Sequence, residues 1–314
     1  MKKLILVDGN AILHRAFHAL PPLTNKDGII VNAVYGFFSM FLKILEDQKP
    51  DFIVVCFDKK APTFRKELFV GYQAKRPKMS DDLIPQIKFV HEILQHAKVE
   101  IFEIDGYEAD DLIGTISVQA VGGKLDGEID VYIVSGDRDL LQLVNHHVKM
   151  IAPVTGLTNM IVFDEVSVLQ KYGIKPSQIV DYKALVGDAS DNYPGVAGIG
   201  PKTAAVLIKE YESLEGIYKN LEKIKAKNAN LALKLATDAE AAGLAQKLAQ
   251  VVLDAPITLN IEKSGIKYLD KEGMIKEFEK FGFKSLLNRL NNKQIVESKK
   301  IEEKKKQAEQ MELL

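Results

Sequence analysis

Four short apolar segments in the first half of the chain each run into an acidic or glycine-containing turn. They are Leu4 to Val7 before Asp8, Phe52 to Phe57 before Asp58, Val99 to Ile104 before Asp105, and Val131 to Val134 before Ser135-Gly136-Asp137. The stretches between them, such as 33–46 and 82–96, carry apolar residues at helical spacing. This alternation predicts βαβ units around a buried parallel sheet. Ligands bind such sheets beyond the carboxyl ends of the strands, which is where the acids lie.

The second half of the chain has a different character. From about Val166 the pattern is mainly helical, and from about Lys293 it is dominated by Lys, Glu and Gln. We therefore predict an α/β core over residues 1–165, a helical subdomain over 166–290 and a charged tail or linker over 291–314. The length of 314 residues fits two domains or one large α/β domain.

Composition excludes some classes of protein. The chain has 42 Lys and Arg against 43 Asp and Glu, a net charge of −1, so it is not a polycation that binds nucleic acid through bulk charge. A local basic face stays possible.

The single cysteine, Cys56, lies in an apolar run and is interpreted as a buried small hydrophobe. No segment approaches the ~20 apolar residues of a membrane span, so we expect no membrane contact and a cytoplasmic location.

Carboxylates recur at the predicted strand ends and in two later clusters. The candidate metal ligands are Asp8, Asp58, Glu108, Asp110, Asp111, Asp137, Asp139, Asp188 and Asp191. So many acids cannot converge without neutralisation, because each like charge raises the cost of ionising its neighbours. Hard divalent cations such as Mg²⁺ or Mn²⁺ suit oxygen ligands, and two ions ~4 Å apart could cleave a phosphodiester.

The alternative for any one of these acids is a turn residue or a helix cap. Three successive strand ends carry Asp, however, and capping explains the whole set poorly. The six histidines show no spacing that ties them to the acids, and we interpret them as structural or surface residues.

A basic segment follows the second predicted strand. Between Lys59 and Met79 there are seven basic residues and one acid, a local charge of +6, with Phe64 and Tyr72 interleaved. Lys and Arg could bind phosphates there while the rings stack on bases. The alternative is a solvated loop whose aromatic residues pack on the body of the protein.

A glycine-rich turn opens a predicted helix at residues 195–204. Gly198 and Gly200 allow close backbone approach, and Lys202 and Thr203 follow in the first helical turn. Free amides at a helix start favour an oxyanion, so a hairpin that binds the DNA backbone is one interpretation. A plain turn between two helices is the other.

Several motifs in order resemble one nuclease family. They are Leu6-Val7-Asp8-Gly9-Asn10, Phe57-Asp58 with Thr63-Phe64-Arg65, Gly106 to Asp111, Gly136 to Leu143, Leu185 to Asn192, and Gly195 to Ala204. With these residues the chain resembles the 5′-nuclease domains of bacterial DNA polymerase I, within the flap endonuclease family. The resemblance covers Leu4 to about Leu290.

The resemblance implies a PIN-like α/β nuclease core, a helical arch at about 59–95 and a C-terminal helix–two-turn–helix subdomain that binds duplex DNA. It implies two or more Mg²⁺ or Mn²⁺ ions, and K⁺ at the hairpin. Asp8, Asp58, Glu108 and Asp110 would surround one metal, and Asp137, Asp139, Asp188 and Asp191 the other. Asp111 would be the additional acid of the bacterial branch.

By the same resemblance, Arg65 and Arg76 would be arch residues on the scissile phosphate. The family usually has Tyr-Lys in the arch, whereas this chain has Tyr72-Gln73. A lysine that helps to activate the phosphodiester is therefore missing from its expected place, and Lys75 is a candidate substitute.

The sequence thus leads to the hypothesis of a structure-specific 5′-3′ exonuclease and 5′-flap endonuclease that uses two metal ions. Its substrates would be DNA with 5′ flaps, nicks or RNA primers, in Okazaki-primer removal and repair. We expect a monomer in the bacterial cytoplasm, associated with the nucleoid and fused to or acting with a DNA polymerase. The alternatives are a branched-DNA binding module with impaired catalysis, as Gln73 suggests, and a PIN-type ribonuclease.

Overall fold

The computed structural model describes residues 1–122, 128–157 and 159–291, and its centre is a six-stranded sheet. The strands are β1 (Lys2–Asp8), β2 (Phe52–Cys56), β3 (Glu100–Phe102), β4 (Ile129–Val134), β5 (Val148–Thr155) and β6 (Asn159–Phe163). Their spatial order is β3-β2-β1-β4-β5-β6, and every pair is parallel except β5 with β6. The predicted parallel sheet is confirmed, and the antiparallel β6 is an addition that the sequence pattern did not predict.

Helices cover both faces of this sheet. They are α1 (Gly9–Ala19), α2 (Asn32–Gln48), α3 (Phe64–Leu68), α4 (Ile84–His96) and α5 (Ala109–Gly122). Along β1, Leu4 and Leu6 pack in the cluster that contains α5, whereas Ile5 and Val7 pack in the cluster that contains α1, α2 and α4. A strand buried on both faces has no polar alternation, which is why the apolar runs in the sequence are continuous.

The order of the strands reverses next to β1. The chain builds β2 and β3 on one side of β1 and then returns to build β4 and β5 on the other side. At such a switch point the connections leave in opposite directions, so a crevice opens at the carboxyl ends of the two strands. Asp8 ends β1 and Asp137 follows β4, so both lie at this crevice.

The second half is mainly helical, as predicted. Its helices are α6 (Glu165–Tyr172), α7 (Ile179–Val186), α8 (Pro201–Tyr211), α9 (Leu214–Lys219), α10 (Leu221–Lys227), α11 (Ala229–Thr237), α12 (Ala239–Ala249) and α13 (Lys271–Phe281), with a helical segment over 284–291. Short 3₁₀ turns cover Asp139–Leu143, Pro176–Gln178 and Ile266–Tyr268. Leu185 of α7 and Ile208 of α8 share one apolar cluster with Leu6 of the sheet, so the two halves are joined by a common core.

Two very short strands, β7 (Gly187–Asp188) and β8 (Tyr193–Pro194), pair antiparallel after α7. Gly187 has a φ of +75°, and a Cβ atom on it would lie 2.4 Å from the backbone nitrogen of Gly195. A side chain at either glycine would push the two backbone segments apart. This close crossing fixes the turn that carries Asp188 and Asp191.

Three further sequence predictions concern Cys56, membrane spans and the charged tail. Cys56 is buried in β2, as predicted. None of the helices in the described ranges is long and apolar enough to span a bilayer. Of the predicted tail at 291–314, all but residue 291 lies outside the described residues.

Candidate active site

Asp8 ends β1 and also caps α1. Its Oδ1 accepts a hydrogen bond from the Ala11 amide at 2.9 Å, and its Oδ2 accepts one from Ser135 Oγ at 2.6 Å. Only 4% of Asp8 is exposed. Burial raises the pKa of Asp8 to about 7, although the Ser135 hydrogen bond offsets part of the shift. The side chain is thus held rigidly at the crevice.

Asp58 and Asp110 lie beside Asp8. Asp58 Oδ1 accepts from the Ala109 amide at 2.7 Å, which joins the end of β2 to the start of α5. Asp110 follows in the first turn of α5, and burial raises its pKa well above the usual range. The negative charges of Asp137, Asp8 and Asp58 add to this shift. We call Asp8, Asp58 and Asp110 the first acid group.

Asp139, Asp188 and Asp191 form the second acid group. One carboxylate oxygen from each lies within 4.8 Å of the other two, a spacing at which one cation can contact all three. Burial raises the pKa of Asp139 to about 7, with the charge of Asp137 the next cause.

Asp137 lies between the two acid groups. Its charge raises the pKa values of Asp8 and Asp110 in the first group and of Asp139 and Asp191 in the second. The side chain is fixed through the backbone, since its amide donates to Ser135 Oγ at 3.0 Å and its Oδ1 accepts from the Asp139 amide at 2.9 Å. One carboxylate is therefore within electrostatic reach of both positions at which a cation could bind.

Two basic side chains contact the second acid group. Lys183 Nζ of α7 lies 2.5 Å from Asp139 Oδ1 and also contacts Asp188 Oδ2. Arg76 Nη2 lies 2.6 Å from Asp191 Oδ1. Burial lowers the pKa of Lys183, but its acidic partners outweigh burial and the net shift is upward. The sequence reasoning missed Lys183, and the available signal was a single lysine in the apolar segment of α7.

Glu108 precedes α5 and accepts hydrogen bonds from two side chains. Thr63 Oγ1 lies 3.2 Å from Glu108 Oε1, and the Tyr72 hydroxyl lies 3.1 Å from Glu108 Oε2. The same hydroxyl lies 3.2 Å from Asp191 Oδ2. Burial raises the pKa of Glu108 to about 7, while the charge of Arg65 opposes the shift. Glu108 therefore links the basic segment to both acid groups.

The predicted DNA contact of Tyr72 is wrong for this arrangement. Tyr72 is only 3% exposed and packs with Tyr193 and Leu248, so its ring offers no surface to a base. Phe64 is half-buried, with its ring centroid 6.3 Å from that of Tyr107 and the Arg65 guanidinium 4.6 Å away. The alternative prediction, that the aromatic residues of the basic segment pack against the rest of the protein, is correct for Tyr72.

Arg65 and Asp111 bind each other rather than a phosphate and a metal. Arg65 Nη1 and Nη2 donate to the two oxygens of Asp111 at 2.7 and 2.8 Å. Asp111 is fully buried, and its oxygens also accept from the amides of Glu108 and Val252. Arg65 further donates to the carbonyl of Leu248 at 2.9 Å. The predictions of Arg65 as a phosphate contact and of Asp111 as a metal ligand are corrected, because each has its bonding capacity filled by protein.

The segment 69–76 crosses over the second acid group. The Gln73 amide donates to the Asp191 carbonyl at 2.8 Å, and Asn192 Nδ2 donates to the Gly71 carbonyl at 2.7 Å. With the side-chain amide of Gln73 oriented so that its oxygen accepts, Arg76 Nη2 donates to it at 3.2 Å. Lys75 is exposed on the same segment. Gln73 thus helps to hold Arg76 over Asp191 but brings no charge of its own.

The predicted hairpin at 195–204 is presented to solvent. Gly198 is exposed with a φ of +73°, and Gly200 precedes the first turn of α8. Lys202 and Thr203 are exposed in that turn, while Ile199 is buried and anchors the hairpin. Gly198, Gly200, Lys202 and Thr203 are therefore open to solvent, and their contact with an anion stays a prediction.

The donor atoms at the second acid group fit a hard cation. The Tyr193 hydroxyl is buried and has no hydrogen-bond partner within the described residues. Burial raises its pKa, and the negative charges of Asp139, Asp188 and Asp191 add to the shift, so the hydroxyl lies near the second acid group. Buried polar atoms are rarely left unpaired, so this hydroxyl points to a ligand there. Every proposed donor is a carboxylate oxygen, the type that divalent ions such as Mg²⁺, Mn²⁺ and Ca²⁺ prefer over softer metals.

Comparison with known proteins gives consistent matches over the chain. The family profile "5'-3' exonuclease, N-terminal resolvase-like domain" matches residues 3–173, and "5'-3' exonuclease, C-terminal SAM fold" matches residues 174–272. The DNA polymerase I of Caldicellulosiruptor bescii is 42% identical over 297 residues, which cover 94% of this chain and 34% of that protein. The chain therefore spans about a third of such polymerase relatives. The 5'-3' exonuclease of Aquifex aeolicus is 37% identical over 296 residues, which cover 93% of this chain and 96% of that protein.

Solved structures share the fold. T5 5'-exonuclease with bound zinc matches with a TM-score of 0.65 and 21% identity, covering 88% of this chain and 99% of that one. The catalytic core of Rad2 in complex with a DNA substrate matches with a TM-score of 0.57 and 18% identity, covering 92% of each chain. At these identities the match concerns the architecture alone.

The ion pair of Arg65 and Asp111 predicts a large effect on stability. Arg65→Met leaves a fully buried carboxylate without its counterion, so we expect a loss of about 3–5 kcal/mol in the free energy of unfolding. In urea titrations, the double variant Arg65→Met/Asp111→Leu should recover most of this loss. The control Arg76→Met, at a half-exposed arginine, should cost less than about 1 kcal/mol. A stable Arg65→Met protein would contradict the assignment and favour a phosphate contact.

The acids with raised pKa values predict how stability depends on pH. Burial raises the pKa values of Asp8, Glu108 and Asp139 to about 7, above their ordinary values of 3.8 and 4.5, so the folded state binds more protons than the unfolded state between these limits. In EDTA, the melting temperature should therefore fall from about pH 5 to about pH 8, with a shallower slope for Asp139→Asn. Ca²⁺ should raise the melting temperature more at the higher pH, because it replaces the lost protons. An equal Ca²⁺ effect at both pH values would contradict this account.

Proposed function

Because the chain belongs to the 5'-3' exonuclease family, we propose that it hydrolyses phosphodiester bonds of DNA at 5′ ends and 5′ flaps with two divalent metal ions. The observation that carries the proposal is the position of Asp137 at the switch point of the sheet. Its amide donates to Ser135 Oγ, which donates to Asp8 of the first acid group, and its Oδ1 accepts from the amide of Asp139 in the second. Carboxylates that repel each other this strongly are stable together only when cations join them. Two adjacent cations are the arrangement that suits an in-line displacement at phosphorus.

The residues divide between two metal positions. Asp8, Asp58, Glu108 and Asp110 would hold one ion, and Asp137, Asp139, Asp188 and Asp191 the other. Bound Mg²⁺ or Mn²⁺ would supply an activated water and stabilise the leaving oxygen. The Ser135 hydroxyl and the Ala11 amide keep Asp8 oriented toward the crevice, and the Ala109 amide does the same for Asp58. Such fixed ligands need no rearrangement when the substrate arrives.

Arg76 is the basic residue best placed to bind the scissile phosphate. It is half-exposed and contacts Asp191, so its guanidinium already lies at the second acid group. When Asp191 binds a metal ion, the donors of Arg76 can turn to a phosphate oxygen and balance the charge that develops there. Lys75 is exposed one residue earlier and can add a second positive charge. Gln73 stands where the family carries lysine and contributes hydrogen bonds only.

The hairpin would bind the duplex beside the site. The chain reaches Gly195 four residues after Asp191, so the hairpin follows directly on the second acid group. The exposed Gly198, Gly200, Lys202 and Thr203 would contact a phosphate backbone, with K⁺ at the turn. We further propose that the substrates are DNA with 5′ flaps, nicks or RNA primers. The protein would be a monomer in the bacterial cytoplasm, associated with the nucleoid. It would be fused to a DNA polymerase or act together with one.

A second candidate function is binding of branched DNA without efficient cleavage. Gln73 favours it, because the missing lysine removes a charge that would assist the reaction. The hairpin argues for duplex DNA as the ligand and thus against a PIN-type ribonuclease.

Cleavage of a labelled 5′-flap duplex in Mg²⁺ tests the proposed function. We expect the protein to release the flap, EDTA to abolish release, and Asp137→Ala to lower the rate by at least about a thousandfold, because the second metal position loses a ligand and the first loses a neighbouring negative charge. Asp130→Ala, which removes an acid of β4 away from the crevice, is the matched control and should keep the parent rate. Cleavage that survives EDTA and Asp137→Ala would refute metal catalysis.

The same assay separates the other two functions. Tight flap binding in Ca²⁺ with no product in Mg²⁺ or Mn²⁺, and product only after Gln73→Lys, would identify the impaired binding module. Faster cleavage of an RNA flap than of the matched DNA flap would identify the ribonuclease.

A further inference from the structure

Lys183 lies in an unusual place for a lysine. It belongs to α7, whose neighbouring residues Ala184 and Leu185 are completely buried, and only 18% of its own side chain is exposed. Lysine is rarely buried to this degree unless its ammonium is paired. Both partners, Asp139 and Asp188, are members of the second acid group.

The ammonium pairs with two of the three carboxylates that a metal ion at the second acid group would contact. Lys183 Nζ lies 2.5 Å from Asp139 Oδ1 and contacts Asp188 Oδ2, and these two side chains converge with Asp191 within 4.8 Å. A divalent ion and an ammonium group cannot share these oxygens at contact distance, because like charges in a partly buried site repel strongly. Entry of an ion there requires the ammonium to leave.

The Asp188 carboxylate is held in place independently of Lys183. Asp188 Oδ1 accepts hydrogen bonds from the Ser190 amide at 2.7 Å, from the Ser190 hydroxyl and from the Asp191 amide at 3.2 Å. Its other oxygen is therefore aimed at the cation position whichever cation is present. The buried Tyr193 hydroxyl, which has no hydrogen-bond partner within the described residues, is within electrostatic reach of Asp139, Asp188 and Asp191 and can hydrogen-bond to an additional ligand.

The first acid group differs in this respect. Within the described residues, neither Asp8, Asp58 nor Asp110 forms an ion pair with a basic side chain. Glu108, the fourth ligand proposed for the first position, pairs with Arg65 Nη1 at the longer distance of 3.5 Å. Among the described residues, one carboxylate of the first position therefore has a basic partner, against three at the second, Asp139, Asp188 and Asp191.

We propose that Lys183 is a positioning residue, a built-in cation that neutralises Asp139 and Asp188 until the second metal ion displaces it. It weakens metal binding at the second acid group relative to the first and so sets the order in which the two ions bind. This inference rests on the proposed two-metal function. It assigns Lys183 a role in metal loading and not in the chemical step.

Calorimetric titration with Mn²⁺ tests the proposal. Lys183→Met keeps the length of the side chain and removes its charge, so the weaker of two Mn²⁺ ions should bind about tenfold more tightly or better, with the stronger ion little changed. Lys183→Arg keeps the charge and should keep the weak binding. The control is Lys284→Met, which removes an exposed lysine and should leave both affinities unchanged.

Thermal unfolding gives a second measurement that does not depend on the titration. Without metal, Lys183→Met leaves Asp139 and Asp188 unbalanced, so its melting temperature should lie below that of the parent in EDTA. Saturating Ca²⁺ should remove this difference in melting temperature between Lys183→Met and the parent. A difference that persists in saturating Ca²⁺ would show that Lys183 only supports the fold.

The outcomes separate this inference from the proposed function. If two Mn²⁺ ions bind and Lys183→Met leaves the weaker one unchanged or weaker still, the role of Lys183 is refuted while the two-metal function stands. If the parent and every variant bind no more than one ion, the two-metal function itself fails and the inference falls with it.

Discussion

Mutual repulsion among carboxylates is the constraint on which the rest of this structure depends. The switch point of the sheet brings Asp8, Asp58, Asp110 and Asp137 together, and the turn between β7 and β8 adds Asp188 and Asp191. Burial makes each charge more costly, and the raised pKa values of Asp8, Glu108 and Asp139 express that cost. Basic side chains of the protein neutralise part of this negative charge, and bound metal ions would neutralise the rest.

The three internal cations have different tasks. Arg65 is buried against Asp111 and ties α3 to α5 and to the end of α12 through the carbonyls of Leu248 and Gln250. Arg76 contacts Asp191 from a half-exposed position and can move toward a phosphate. Lys183 sits on the oxygens of the second acid group. One of the three is thus structural, one is available to a substrate and one competes with a metal ion.

Much of the fold could be predicted from sequence because parallel strands buried on both faces leave an unmistakable pattern. The strand ends also predicted Asp8, Asp58 and Asp137 at one edge of the sheet. What failed depends on contacts between distant residues. Arg65 and Asp111 are 46 positions apart, and no local pattern distinguishes an arginine that binds a carboxylate from one that binds phosphate. The burial of Tyr72 was likewise not predictable from its neighbours in sequence, because the residues that bury it, Tyr193 and Leu248, come from the second half of the chain.

The most direct test of the account is electron paramagnetic resonance of the protein loaded with two equivalents of Mn²⁺. Since Asp137 lies between both acid groups, the account predicts two ions about 4 Å apart and therefore a spin-coupled pair signal. Asp137→Asn should reduce that coupled signal. A spectrum of isolated Mn²⁺ ions at every loading would contradict the central claim that the two acid groups form one dinuclear centre.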